Sequence, residues 1–181
     1  MAARGTGVTM ALTVRDASLQ DAAALQAYAI RLFAERLPGI YRRDDPTLEE
    51  EQAFIRDHTE PDGSAMLVAE ENGRIVGLLG FRARTLPQER HVGMFHLSVA
   101  AEARGCGVGT ALITTLVERA PALGIRRIEV EAFAVNEGAL RLYERLGFER
   151  EGARREAVVV DGRPVDVIML ARLLEEDDAR G

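Results

Sequence analysis

One stretch of the chain constrains the fold more than any other. His91 to Ala100 carries Val92, Phe95, Leu97 and Val99 as its apolar content and leads into the turn Arg104-Gly105-Cys106-Gly107-Val108-Gly109. From Gly107 to Ala120 the apolar residues Val108, Leu112, Ile113, Leu116, Val117 and Ala120 recur at helical spacing. Gly124 supplies a stop, and the β-rich run Ile125 to Val135 follows. Strand, glycine turn, helix, strand is a βαβ unit, which predicts two parallel strands joined by a right-handed crossover.

The flanking segments predict antiparallel pairing. Ala65 to Glu70 and Arg74 to Phe81 flank Asn72-Gly73, and Ala153 to Val160 and Arg163 to Ala171 flank Asp161-Gly162; both dipeptides suit a two-residue turn with positive φ at each position. Upstream, a strand at Leu12 to Arg15 precedes Ser18, a helix cap with Asp21 in the first turn, and Leu25, Tyr28, Ala29, Leu32 and Phe33 give one apolar face. A loop from Leu37 to Pro46 leads to Thr47-Leu48-Glu49-Glu50, which fits a capping box. Asn136 caps a further helix carrying Ala139, Leu140, Leu142, Tyr143 and Leu146, and Gly147-Phe148 fits a Schellman ending.

Size and charge limit the function classes. A chain of 181 residues with 47% hydrophobic content fits one domain, read as 12–174, with an extension at 1–11 and an acidic tail at 175–181. A net charge of -6 argues against affinity won by neutralising nucleic-acid phosphates or an anionic membrane. No apolar run approaches the roughly 20 residues that span a bilayer, so a cytoplasmic location is expected. Cys106 is the single cysteine, and His58, His91 and His96 lack zinc-site spacing, so no metal is expected.

Three glycines at alternate positions between strand and helix suit an anion: amides at a helix N-terminus are unpaired, the helix dipole adds partial positive charge, and no Cβ stands in the way. Arg104 adds a positive charge at the rim. A tight connection serving helix–sheet packing is the plain alternative. A Walker loop is excluded because no Gly-Lys-Ser/Thr follows, and a dinucleotide fingerprint fails at Thr110, where its third glycine belongs.

These residues resemble the GNAT superfamily of N-acetyltransferases, whose pyrophosphate loop R/Q-x-x-G-x-G/A is matched by Arg104, Gly107 and Gly109. A second match is Asn136-Glu137-Gly138-Ala139-Leu140-Arg141-Leu142-Tyr143-Glu144-Arg145-Leu146-Gly147-Phe148, similar to the family's N-x-x-A-x-x-L-Y-x-x-x-G-F helix. The ending, from Gly147-Phe148 through Glu151-Gly152, Asp161-Gly162 and Val165-Asp166 to Met169, looks most like bacterial L-amino-acid N-acyltransferases. The resemblance implies a mixed α/β (α+β) fold: a mostly antiparallel central sheet with a splayed parallel pair, flanked by helices. It further implies acetyl-CoA as donor, a small-molecule primary amine as acceptor, direct transfer in a ternary complex, and a homodimer.

The resemblance assigns cofactor contacts to Leu97, Ser98 and Val99 on the splayed strand, to Arg104, Gly105, Cys106, Gly107, Val108, Gly109 and Thr110 in the loop, and to Asn136 and Tyr143 on the last helix. Val99 N–H would stabilise an oxyanion and Tyr143 would protonate the departing thiolate. Attack by an amine needs a base, for which Glu129 and Glu131, on one face of a strand, and His96 on the facing strand are the candidates. Either carboxylate can equally pair with Arg126, Arg127 or a helix residue as plain structure, and His96 can be a core histidine. Cys106 has no visible His partner and enters through its backbone N–H. Arg42 and Arg43 suit an acceptor carboxylate, and Asp44 and Asp45 a second amine. A polyamine or protein N-terminus as acceptor, a silent CoA-binding sensor and a nucleotide-dependent oxidoreductase are the alternative functions.

Overall fold

The computed structural model describes residues 12–41 and 44–174. The extension expected at 1–11, the tail at 175–181, and Arg42 and Arg43 lie outside the described residues. Among the described residues, seven strands form one sheet: β1 (Thr13–Asp16), β2 (Ala65–Glu71), β3 (Arg74–Ala83), β4 (Val92–Val99), β5 (Arg127–Phe133), β6 (Glu149–Val160) and β7 (Arg163–Leu173). Their spatial order is β1-β2-β3-β4-β5-β7-β6. Every neighbouring pair is antiparallel except β4 and β5. The α-helices of the described residues flank the sheet: α1 (Ala22–Ala34), α2 (Leu48–Thr59), α3 (Val108–Arg119) and α4 (Glu137–Arg145).

Local chemistry sets the element boundaries. Asn72 and Gly73 have φ of 57° and 70°, and Asp161 and Gly162 of 49° and 77°, so both hairpins close through left-handed turn residues. Thr47 and Glu50 exchange side-chain and backbone bonds at 2.7 and 3.2 Å, completing the capping box of α2. Ser18 opens a 3-10 turn, Leu19–Asp21, rather than α1 itself. Asp21 there accepts from Ser18 N–H at 2.8 Å and pairs with Arg15. The Schellman ending of α4 is complete: Phe148 N–H donates to Tyr143 C=O at 3.0 Å and Gly147 N–H to Glu144 C=O at 3.1 Å. β6 begins at Glu149, directly after that turn and four residues earlier than the alternation predicts.

Alternation across the sheet divides the site residues between two faces. Gly77 of β3 faces α3, since a Cβ there would lie 2.6 Å from Val108; Gly80 faces α2, where it would lie 2.9 Å from His58. In register with these, Phe95, Leu97 and Val99 of β4 face α3 and α4, whereas Met94, His96 and Ser98 face α1 and α2. Glu129 pairs with Met94 across the parallel strands, so Glu129 and Glu131 also face α1 and α2. The core runs along both faces, with Tyr28, Leu67, Leu79, Phe81, Leu112 and Ile113 among its most deeply buried residues.

Candidate active site

The parallel pair holds only from Val92–Arg127 to Phe95–Val130. Beyond Phe95, β4 continues for four residues against β3 alone, and the two central strands part. The phase of the ladder identifies which backbone groups this leaves without a partner. Ala100 N–H donates to Val76 and Arg84 N–H to Val92, both at 2.9 Å; with that register, His96 and Ser98 turn their peptide groups to β3, and Leu97 and Val99 turn theirs into the gap. Ser98 is therefore not an edge donor, correcting the expectation that all three residues offer backbone groups there. Its hydroxyl instead accepts from Tyr28 of α1 at 2.9 Å.

The gap opens onto the glycine turn. Gly105 and Gly107 have φ of 76° and 86°, and a Cβ on either would meet nothing within 4 Å. Among the described residues, the amides of Gly105, Gly107, Val108, Gly109 and Thr110 find no protein acceptor; the first helical bond is Ala111 N–H to Gly107 C=O at 2.9 Å. Cys106 N–H is engaged, reaching Ala103 C=O at 3.4 Å, so this backbone group is not among the free donors, contrary to expectation. Gly109 has a different use. A Cβ there would lie 2.9 Å from Leu142 of α4 and 3.4 Å from Leu97, so its bare Cα permits α3, α4 and β4 to converge. Free amides beside an open surface are the donor set that a diphosphate requires, and the turn fits that group.

Arg104 does not stand free at the rim. Its Nη2 pairs with Glu35 at 2.6 Å and its Nε donates to Val99 C=O at 3.0 Å. Asn136 is likewise committed: its Oδ1 accepts from Ala139 N–H at 3.2 Å as the cap of α4. Gly39 packs so closely on its amide that a Cβ there would lie 2.4 Å from Nδ2. Tyr41, next along that loop, meets Phe133 edge-on at 4.9 Å.

Tyr143 packs on β4 from the α4 side. Its ring is 5% exposed and packs edge-on against Phe95 at 5.6 Å. Its hydroxyl makes no hydrogen bond to any described residue, yet it is not sealed, since among the described residues no buried side-chain oxygen lacks a partner. Burial pushes the phenol pKa well up, so the group is a proton donor at neutral pH.

The three candidate bases share the opposite face of the sheet but differ in surroundings. Glu129 is drawn up by partial burial, which Arg84 at 2.6 Å and Arg127 at 2.9 Å overrule, holding it below the usual carboxylate range. Arg127 precedes it by two residues on the same strand, a pairing the sequence allowed, whereas Arg84, from just beyond β3, could not be anticipated from spacing. Glu131 pairs with Arg154 of β6. His96 sits against Gly80 in a box of rings, 5.5 Å from Phe54 and 5.1 Å from His58. His58 is buried and donates from Nδ1 to Phe54 C=O at 2.8 Å; burial lowers its pKa.

Tyr28, Glu35 and His58 are the site neighbours that sequence reasoning missed, because each reaches its partner across 38 to 70 residues of chain. Among the described residues no three His, Cys, Asp or Glu side chains gather to share a metal ion, and no helix is long and apolar enough to cross a membrane. A recess lined by His91, Arg126, Arg127, Leu173 and Leu174 lies at the other end of the parallel pair.

Residues 26–148 match the Acetyltransferase (GNAT) family model. The chain is 32% identical over 112 residues to the L-amino acid N-acetyltransferase AaaT of Escherichia coli, covering 61% of this chain and 69% of that one. Mammalian relatives are matched over 40–42% of their length. A GNAT-family acetyltransferase structure from Streptococcus pneumoniae superposes with a TM-score of 0.84 at 27% identity, covering 91% of this chain and all of that one. A GNAT superfamily phosphinothricin acetyltransferase from Sinorhizobium meliloti, in complex with acetyl-CoA, superposes with a TM-score of 0.80 at 28% identity, covering 91% and 89%. A splayed parallel pair ending at a turn of free amides, in a chain matched to that family along most of its length, leads to one conclusion: the protein belongs to the GNAT family and is an N-acetyltransferase that uses acetyl-CoA.

Proposed function

We propose that this enzyme acetylates the primary amine of a small molecule, an amino acid in the first instance, by direct transfer in a ternary complex. The observation that carries this reading is the gap beyond Phe95 and Val130, where the backbone groups of Leu97 and the N–H of Val99 lack a strand partner and the turn of free amides follows in the chain. The 32% identity to an L-amino acid N-acetyltransferase supports the acceptor class.

Acetyl-CoA supplies an activated thioester. Gly105, Gly107, Val108, Gly109 and Thr110 hold its diphosphate through their amides, and Leu97 and Val99 bind the arm as an added strand would. Val99 N–H stabilises negative charge on the carbonyl oxygen, an effect worth about 10²–10³ in rate. His96, on the face toward α1 and α2, takes the proton of the incoming amine. Glu129 and Glu131, each bound to arginine, shape the acceptor side as ion pairs. Tyr143, on the opposite face, gives its proton to the departing sulfur, and its raised pKa keeps that proton in place until needed.

The experiment is release of thiol from acetyl-CoA across a panel of amino acids, polyamines and peptide N-termini. Turnover with amino acids is expected. Turnover confined to polyamines or peptides moves the acceptor class, and CoA binding without release for any amine makes the protein a sensor. Cytoplasmic location and assembly as a homodimer belong to this reading as expectations, checked by cell fractionation and light scattering.

A further inference from the structure

Arg104 is the residue in the turn that carries charge, yet its guanidinium is committed to Val99 and Glu35. Nε donates to Val99 C=O at 3.0 Å, and Nη2 is held by Glu35 at 2.6 Å. Glu35 is fixed in turn, because it ends α1, with its own N–H on Leu32 C=O at 3.3 Å and the next residue's, Arg36, on Phe33 C=O at 3.1 Å. One helix therefore grips the end of β4 twice, through Tyr28 on the Ser98 hydroxyl and through Glu35 and Arg104 on the Val99 carbonyl. Val99 needs this second grip because it lies where β5 has already departed. The Val99–Ala100 peptide is held on its β3 side by Ala100 N–H to Val76 C=O at 2.9 Å, but toward the gap its carbonyl has no strand partner and would compete for any donor there. With the carbonyl secured, the opposite end of the preceding peptide and the Val99 N–H are held in the extended conformation that points the N–H into the gap.

From this we infer that Arg104 acts as a positioning residue for the Val99 peptide, oriented by Glu35, and not as a phosphate ligand. The inference rests on the reading of Val99 N–H as the oxyanion donor. A misplacement of about 1 Å in such a donor costs on the order of 10²-fold in rate, so loss of the strut is expected to lower kcat by about 10-fold or more, with little change in affinity for CoA.

The test compares acetyl-CoA with acetylpantetheine, which keeps the thioester and arm but lacks the diphosphate, in the wild type, Arg104→Gln, Arg104→Lys and Glu35→Ala. The strut predicts that Arg104→Gln and Glu35→Ala lower kcat by similar factors with either donor. Calorimetric Kd for CoA should stay within about 3-fold of the wild type, and Arg104→Lys, which keeps the charge but not the fork, should fail to restore kcat. A phosphate ligand predicts the reverse: Arg104→Gln weakens CoA binding 10-fold or more and leaves acetylpantetheine turnover at the wild-type rate, Arg104→Lys rescues, and Glu35→Ala tightens CoA by freeing the guanidinium. Either half of that pattern overturns the inference. Absence of turnover in the wild type itself refutes the transferase reading, and the sign of the Glu35→Ala change in Kd still decides the role of Arg104. Melting temperatures within about 3 °C of wild type exclude a folding defect.

Discussion

Tyr143 shows how one side chain serves packing and chemistry at once. Its ring is locked between Phe95 and Phe148, while its hydroxyl makes no hydrogen bond to a described residue. Tyr143→Phe should therefore leave the melting temperature almost unchanged, since no bond is lost, and lower kcat at saturating substrates by about 10²-fold, the scale of general acid catalysis. Unaltered kcat removes Tyr143 from the mechanism. On the other face, His96→Ala should abolish the acidic limb of the wild-type pH–rate profile. A limb preserved in His96→Ala but lost in Glu131→Gln transfers the role to Glu131. Both side chains were legible as candidates in the sequence. What separates Glu129 from His96 was not, because the carboxylate is set by Arg84, 45 residues away.

At the scale of single elements, α4 carries a functional motif on a helix of nine residues, short enough that its ends decide its stability. Asn136→Ala should cost about 1 kcal/mol by removing the bond to Ala139 N–H. Asn136→Asp keeps an acceptor there and should retain the stability, so the two variants separate capping from any contact made by Nδ2; equal melting temperatures in both would refute the capping role. Gly147→Ala should also cost about 1 kcal/mol. Its φ is 81°, and a Cβ would find only ordinary contacts with Arg172 at 3.7 Å, so the penalty is one of backbone conformation. Caps and turns of this kind were readable from the sequence because their chemistry is local. The start of β6 at Glu149 was not, since its pairing with Ala171 of β7 takes precedence over weak alternation.

The whole molecule answers to pH through groups on several elements. His58 is held neutral mainly by burial, with Arg82 adding to the effect and Phe54 C=O and Asp57 opposing it. Its folded pKa lies below the unfolded value, so the unfolded chain takes up the proton first and stability declines as pH falls through about 6.5. His58→Phe should flatten the change in melting temperature between pH 7 and 5; an unchanged slope refutes the assignment. Asp21, depressed by Arg15, and Glu129 and Glu151, depressed by their arginines, contribute stability that is present above about pH 4 and lost as pH falls through their lowered folded values.

By itself the sequence determined the pieces whose causes are short-range: glycine and asparagine turns, caps, the 3.6-residue and two-residue periodicities, and a turn of amides at a helix start. From these, with the family likeness, came the mixed sheet and the parallel pair. Only the tertiary structure decided that β7 rather than β6 lies beside β5, that the central strands part after Phe95, and that Ser98 turns its peptide away from the gap. It alone decided that Arg104 is bound by Glu35 and Glu129 by Arg84. The physical reason is the same in each case: strand order, ladder phase and ion pairing are settled by groups far apart in the chain, and no local pattern encodes which distant partner will arrive.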